Sequence, residues 1–522
     1  MVTNAASTLD PAAGSPDGAR PSSREPSRGL RPLSAAAWLA VLSVVVVAGV
    51  GSLVALDSEA PDSAFALAAV ACSVMLAGMF TAQYRASGNV LDPLCLAVIM
   101  LFLMYPFHGL MTRDNETLAM LIGSDSTEWL TRALLLATVS APFVRLGFNS
   151  GLAGRIAALL PRPRFELDDD ARTTRSKLLI LYGVSLAPRL LVLSLGQLYH
   201  WDNPDREGSE IQYLLTVLVN VPVFVTVWFL VQGLRKRERR LILLSLAMLG
   251  VEFVWGMVSG SRARMLMPLV ATVAALSYLH RPMRLKTLVV AATLFVLVLF
   301  PFITSFRSAY FGRLDEVQRD GLQSSTLIEA FAEASAGDDD TSFGLSRESP
   351  VEVLADRLHG LTSLALVIRF TPERAEYGLG IPYLQILPQI LVPRFIWTDK
   401  PEMAPFNRIF RDRYWGVDPG SSTSVAVSQF GDLYANLHIV GTTLGSFLYG
   451  AFIALLFRHL RYGIRSPSIF PTVVFSVHVM GLIQAFESPF DPVIAGTIKS
   501  LFVYFVIAWI LSTPRRARAA GA

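Results

Sequence analysis

Judged by apolar length alone, twelve stretches of this chain are long hydrophobic runs: 35–56, 64–82, 90–111, 128–147, 177–199, 211–233, 241–259, 265–280, 287–305, 433–457, 469–486 and 493–511. About 18 or more apolar residues is the length a helix needs to cross a hydrocarbon layer about 30 Å thick. The pattern therefore predicts twelve membrane-spanning helices. One long polar segment, 306–432, interrupts the series after the ninth run.

Composition supports the same class. The chain is 52% hydrophobic and 16% charged, where a soluble domain carries roughly 25% charged residues. The fold class read from the sequence is an all-α polytopic integral membrane protein with one large external loop containing amphipathic helices. Residues 1–33, rich in Ser, Pro, Ala and Arg, read as a disordered cytoplasmic tail. Segments 34–305 and 433–511 hold spans one to nine and ten to twelve, and 512–522 forms a second cytoplasmic tail. Cys72 and Cys95 both fall inside apolar runs, which leaves no disulfide framework, no cysteine-based zinc site and no thiol redox chemistry.

Orientation follows from the basic residues, because loops rich in Lys and Arg stay on the cytoplasmic side. With the N-terminus inside, the inner segments collect most of them, including the run Arg235-Lys236-Arg237-Glu238-Arg239-Arg240. The short outer loops carry Arg113, Arg206, Arg262 and Arg264. Both termini are expected in the cytoplasm, with 306–432 outside. The basic run is a topology determinant, and no nucleic-acid partner is implied. A secondary transporter made of two equal halves would carry its long break at the middle of the chain; here the bulk is external and late.

Within the external segment, Ser349-Pro350-Val351-Glu352 reads as a helix start, with Ser as N-cap, Pro in the first turn and Glu three residues on. The spacing predicts a helix of about 20 residues lying on or in the membrane surface, with Glu352, Asp356, His359 and Ser363 along one polar face. Segment 380–397 is apolar but interrupted by Pro382, Pro388 and Pro393, and reads as surface-lying or re-entrant. The run Asp338-Asp339-Asp340 reads as a solvated acidic connector, so no metal site is expected.

Ionisable residues inside membrane spans are functional candidates by default. They are Arg189, Glu252, His478 and Lys499, with an Arg189–Glu252 ion pair as the structural alternative. At the outer interface, Gly260-Ser261-Arg262-Ala263-Arg264 holds two guanidiniums on a tight turn, joined by Arg307 and Arg313 from the end of the ninth run. Guanidinium forks match phosphate oxygens bidentately and keep their charge at any accessible pH.

The Gly-Ser-Arg turn, the stretch Pro393-Arg394-Phe395-Ile396-Trp397-Thr398-Asp399-Lys400-Pro401, and Ser421-Ser422-Thr423-Ser424 followed by Gly431-Asp432-Leu433-Tyr434-Ala435-Asn436 resemble the O-antigen polymerase and oligosaccharide repeat-unit polymerase family. The likeness spans about 250–460, and at Asp432 the family more often carries Glu. The resemblance implies glycosyl transfer at the outer face of the cytoplasmic membrane, from a polyprenyl-diphosphate-linked oligosaccharide to the end of another, without a cofactor or metal. On that reading Arg262, Arg264, Arg307, Arg313 and Arg357 would bind the diphosphate. The proton acceptor would be one of Asp356, His359 and Asp432. Tyr434, Asn436 and Trp397 would bind sugar, with Trp415 as a further stacking surface, and a chain-length regulator is the partner to expect. Two alternatives stay open: a ligase-type transferase that differs in its acceptor, and a transporter or flippase of lipid-linked sugars using Arg189, Glu252 and Lys499.

Overall fold

The computed structural model describes residues 33–113, 120–160, 172–194, 220–258, 262–279, 282–312, 329, 331–332, 358–392, 397, 399, 410–415, 427–461 and 469–512. Among the described residues the regular structure is helical throughout. The long helices are α1 (Ala35–Asp57), α2 (Pro61–Ser87), α3 (Pro93–Thr112) and α4 (Ser126–Asn149), followed by the short α5 (Gly151–Leu159). Then come α6 (Arg172–Ser194), α7 (Val221–Lys236), α8 (Arg239–Val258), α9 (Arg262–Leu279) and α10, which starts as Leu285–Leu294 and ends as Phe300–Gly312. Two short helices follow, α11 (Gly360–Phe370) and α12 (Ile381–Leu391), then α13 (Gln429–Arg461), α14 (Phe470–Gln484) and α15 (Phe490–Leu511).

Seven of these stretches are long and apolar enough to cross a membrane: α1, α2, α3, α4, Arg239–Met257, Leu285–Phe306 and Gln429–Leu460. A helix overlies each of the twelve predicted runs, and shorter apolar helical stretches lie in α9 (Arg264–Leu279), α14 (Phe470–Val479) and α15 (Gly496–Leu511). Exposed valines and leucines line α1 (Val46, Val47, Leu53) and α10 (Val289, Leu294, Leu297). Continuous apolar faces of this kind suit a lipid surround, because nothing in water would tolerate them.

The core is organised by α4 and α13, which cross at backbone distance. A Cβ on Gly147 would run into the Phe447 carbonyl, and one on Gly450 into the Val144 carbonyl. Small residues at such a crossing let two helices approach closely where lipid supplies no hydrophobic drive. α2, α3 and α11 pack around this pair, while α6 to α9, α14 and α15 contribute to a second apolar cluster.

Two expectations change here. The segment read as a surface helix is α11, and its residues Leu361 to Val367 are all buried. It is wedged among α3, α4 and α13, with Gly360 pressed on Met104 and Ser363 Oγ accepting from the Ser428 amide at 2.9 Å. The apolar stripe was legible; what was not is that other helices cover the polar side as well. The helix start predicted at Ser349 lies outside the described residues. The proline-interrupted stretch does form a short helix, α12, which packs against α15. At 11 residues it extends only about 16 Å, too short to cross.

A second irregularity matters more. α13 is broken at Leu437 (φ −139°, ψ 23°) and His438 (φ 58°, ψ −150°), so it is a half-helix, 429–436, set against a long helix, 439–461. The carbonyls freed by the break are taken up by the α11–α12 turn: the Gly378 amide donates to Ala435 at 3.0 Å and the Leu379 amide to Asn436 at 2.8 Å. Non-helical backbone at membrane depth persists where the protein itself satisfies it. Leu433 folds back so closely that a Cβ on Gly441 would collide with its carbonyl.

Candidate functional site

Asp432 lies on the half-helix and is fully buried. Its Oδ2 accepts from the Tyr383 hydroxyl of α12 at 2.8 Å and from the Phe490 amide at the start of α15 at 2.9 Å. Its Oδ1 accepts from Asn436 Nδ2 at 3.2 Å. One carboxylate therefore ties together α12, α13 and α15. Three hydrogen bonds from three elements already engage the carboxylate, so Asp432 is better placed to hold the site's shape than to abstract a proton.

Beside it stands a π-helical turn, Arg411–Trp415. Tyr414 and Thr371 share a hydrogen bond of 2.9 Å. Burial, with a smaller contribution from the Asp432 charge, pushes the Tyr414 hydroxyl above the usual phenol range. The next residue, Trp415, meets His359 edge-on with ring centroids 5.9 Å apart, and His359 meets His108 at 6.4 Å. His108 follows another π-helical turn, Leu103–Phe107, in α3. Such turns recur at functional sites because they re-aim the side chains that follow. Three buried polar atoms here have no hydrogen-bond partner among the described residues: His108 Nδ1, Trp415 Nε1 and Asn436 Oδ1. The Gln429 amide, 1% exposed at the head of the half-helix, has neither atom paired among the described residues. Buried polar groups are almost always satisfied, so each of these atoms is met by a group beyond the described residues, whether another stretch of the chain, water or a ligand.

A third group lies at the start of α4. Arg132 and Arg369 both lie over Trp129, their guanidinium carbons 4.5 and 4.9 Å from its ring centroid. Its indole donates to Asp125 at 3.1 Å, which holds that carboxyl below the usual range. Asp125 also pairs with Arg369 at 3.4 Å.

The sequence-predicted residues distribute unevenly over this arrangement. Asp432, Asn436 and Tyr434 share the half-helix, and His359 belongs to the histidine–tryptophan group. Asp356, Arg357 and Arg313 lie outside the described residues. Arg262 opens α9, with Arg264 partly buried two residues on, and Arg307 lies in α10. Trp397 is partly buried. Arg189 and Glu252 form a bidentate ion pair of 2.9 and 3.0 Å between α6 and α8, 4% and 2% exposed, under the Trp255 ring. His478 donates through Nδ1 to the Val474 carbonyl at 2.8 Å within α14, and Lys499 is partly buried on α15.

Sequence reasoning missed Tyr383, His108, Arg132, Arg369 and Glu487. Glu487 ends the turn before α15, where burial pushes its carboxyl up to about 7. Its signal was an acid directly before Ser-Pro between two apolar runs; Tyr383 and His108, inside apolar runs, offered none.

A family profile, the Domain of unknown function DUF8712, matches residues 199–511. The chain belongs to the DUF8712 family. The matched range contains α7 to α15, hence the half-helix with Asp432 and the short helices α11 and α12. No curated protein and no solved structure matches the chain. Within DUF8712 the chain's α1 to α6, including His108 and Arg189, precede the matched range.

Proposed function

We propose that this protein is a membrane glycosyltransferase that polymerises polyprenyl-diphosphate-linked oligosaccharide repeat units at the outer face of the cytoplasmic membrane, with twelve spans and both termini inside. The observation that carries the reading is the buried Asp432 carboxylate on a broken helix, bound by α12 and α15, together with polar atoms of His108, Trp415 and Asn436 that have no hydrogen-bond partner among the described residues. On the positive-inside reading these groups all lie toward the outer end of their helices.

In the reaction, a sugar hydroxyl of the acceptor attacks the anomeric carbon of the donor, a C–O bond forms, and the bond to the diphosphate oxygen breaks. The proton must leave the attacking oxygen. His359, partly exposed and with a titratable nitrogen, suits that transfer better than Asp432, whose lone pairs are engaged; such a base contributes about 10²–10⁴-fold in rate. Asp432 would fix the acceptor pocket through Tyr383 and Asn436. The outer arginines Arg262, Arg264 and Arg307 would receive the charge on the leaving diphosphate. The closed Arg189–Glu252 pair fits a pin between helices better than a transport pathway.

The test is the surface glycan profile of cells carrying a deletion, Asp432→Asn or His359→Ala, with membrane insertion of each variant verified. Loss of long polymer with single units still displayed supports the reading. Absence of all surface glycan would point to transport, and an unchanged profile in the deletion strain would exclude glycan assembly.

A further inference from the structure

The short helix α5, Gly151–Leu159, leaves the end of α4 and is too short to span. α4 and α13 are each long enough to cross a membrane, and they finish at one level. The Arg458 guanidinium, in the last turn of α13, donates to the Phe148 carbonyl at 3.0 Å and to the Ser150 carbonyl at 3.1 Å. About one turn before the end of α4, Arg145 lies 4.4 Å from the ring centroid of Trp38, near the start of α1. Tryptophan and basic side chains collect where lipid meets water. Ser150 is extended (φ −63°, ψ 149°), which turns the chain aside at this level. α5 then stays beside α13: a Cβ on Gly154 would stand 3.4 Å from Arg458 Nη1, the same nitrogen that binds Ser150.

The faces of α5 differ sharply. Ala153 is fully buried and Gly154 partly so, on the side of α13. Leu152, Ile156 and Leu159, at i, i+4 and i+7, share another side and are exposed, Leu159 by 84%. Arg155 is exposed on the flank of that side and has no carboxylate partner among the described residues. We propose that α5 lies flat in the membrane surface at this end of the bundle, with Leu152, Ile156 and Leu159 among phospholipid acyl chains and Arg155 at the lipid phosphates. A helix with one apolar side and a basic flank binds an interface in this way. On the positive-inside reading the leaflet is the cytoplasmic one. The segment that follows, 161–171, is a poor cover for the same face, because its only large apolar side chains are Phe165 and Leu167, set among Arg162, Arg164, Glu166 and Asp168-Asp169-Asp170. The inference is independent of the glycosyl-transfer reading.

Spin labels on the full-length protein in nanodiscs of phosphatidylethanolamine and phosphatidylglycerol test this. Leu152→Cys, Ile156→Cys, Leu159→Cys and Ala158→Cys each carry a nitroxide, and the unsubstituted chain, whose Cys72 and Cys95 are buried, is the blank. Size-exclusion chromatography verifies that each variant is folded. Collision with oxygen, which concentrates in lipid, is compared with collision with a water-soluble nickel chelate. The oxygen-to-nickel ratio is expected to be at least fivefold higher at 152, 156 and 159 than at 158, which lies on another side of the helix. Arg155→Glu sets a carboxylate against the phosphates and is expected to at least halve the ratio at 159. Nickel access at all four positions places α5 in water and overturns the proposal. Low access to both reagents at 152, 156 and 159 shows that protein covers this face, either 161–171 or a second copy, and overturns it equally. An unchanged ratio in Arg155→Glu overturns the phosphate contact.

Discussion

The Tyr383 hydroxyl donates to Asp432 at 2.8 Å, joining a short helix to a half-helix 49 residues away in sequence. Removing that hydroxyl leaves a buried anion short of one donor, at about 1–3 kcal/mol. Tyr383→Phe should therefore lower the melting temperature in detergent measurably. Asp432→Asn should do more, because an amide nitrogen must then face the Phe490 N–H or Asn436. Equal melting temperatures for Tyr383→Phe and wild type would show that the bond carries no stability.

Arg189 and Glu252 form a closed, buried pair. Breaking one side strands the other charge, at about 3–5 kcal/mol, whereas replacing both by apolar residues is often neutral. Glu252→Gln should unfold at a clearly lower temperature, and Arg189→Met with Glu252→Leu should recover most of the loss. If the double variant melts normally but the cells lose all surface glycan, the pair has a role in transport.

Gly147 and Gly450 set the α4–α13 crossing. Neither carbonyl facing them can move without shifting a helix, and overpacking of this kind costs about 1–3 kcal/mol or more. Gly147→Ala and Gly450→Ala should each reduce the folded yield, as read by size-exclusion chromatography in detergent. Gly250→Ala, where a Cβ meets nothing within 4 Å, is the control and should be silent.

Burial raises the Glu487 carboxyl from 4.5 to about 7. Folding thus favours the neutral acid. That stabilisation is complete below about pH 4.5 and disappears as the pH climbs through about 7, amounting to about 3 kcal/mol at most. The melting temperature of the wild type should fall between pH 5 and 8, and Glu487→Gln should flatten this dependence. Identical slopes for the two proteins would remove Glu487 as the source.

Much of this architecture was legible before any coordinates. Helical runs, their approximate limits and the membrane setting follow from apolar length, because lipid leaves a spanning backbone little choice but to bond within its own helix. The Arg189–Glu252 pair was legible for a related reason: two opposite charges in apolar surroundings have few other ways to be stable. Asp432, Tyr434 and Asn436 stood out through the likeness of 431–436 to a polymerase-family motif, with Tyr434 and Asn436 at the mouth of an apolar run.

Tertiary structure alone decided the rest. The burial of α11 depends on which helices close over it, and its stripe of Leu and Val would look the same on a membrane surface. The break at Leu437 and His438 carries no glycine or proline of its own; it exists because Gly378 and Leu379, about 60 residues earlier, supply the missing backbone donors. His108, Tyr383 and Trp415 become a site only where α3, α12 and the Arg411–Trp415 turn bring them near His359 and Asp432. Local periodicity records which face of a segment is apolar, while the partner of each buried polar atom is set by contacts between residues far apart in the chain.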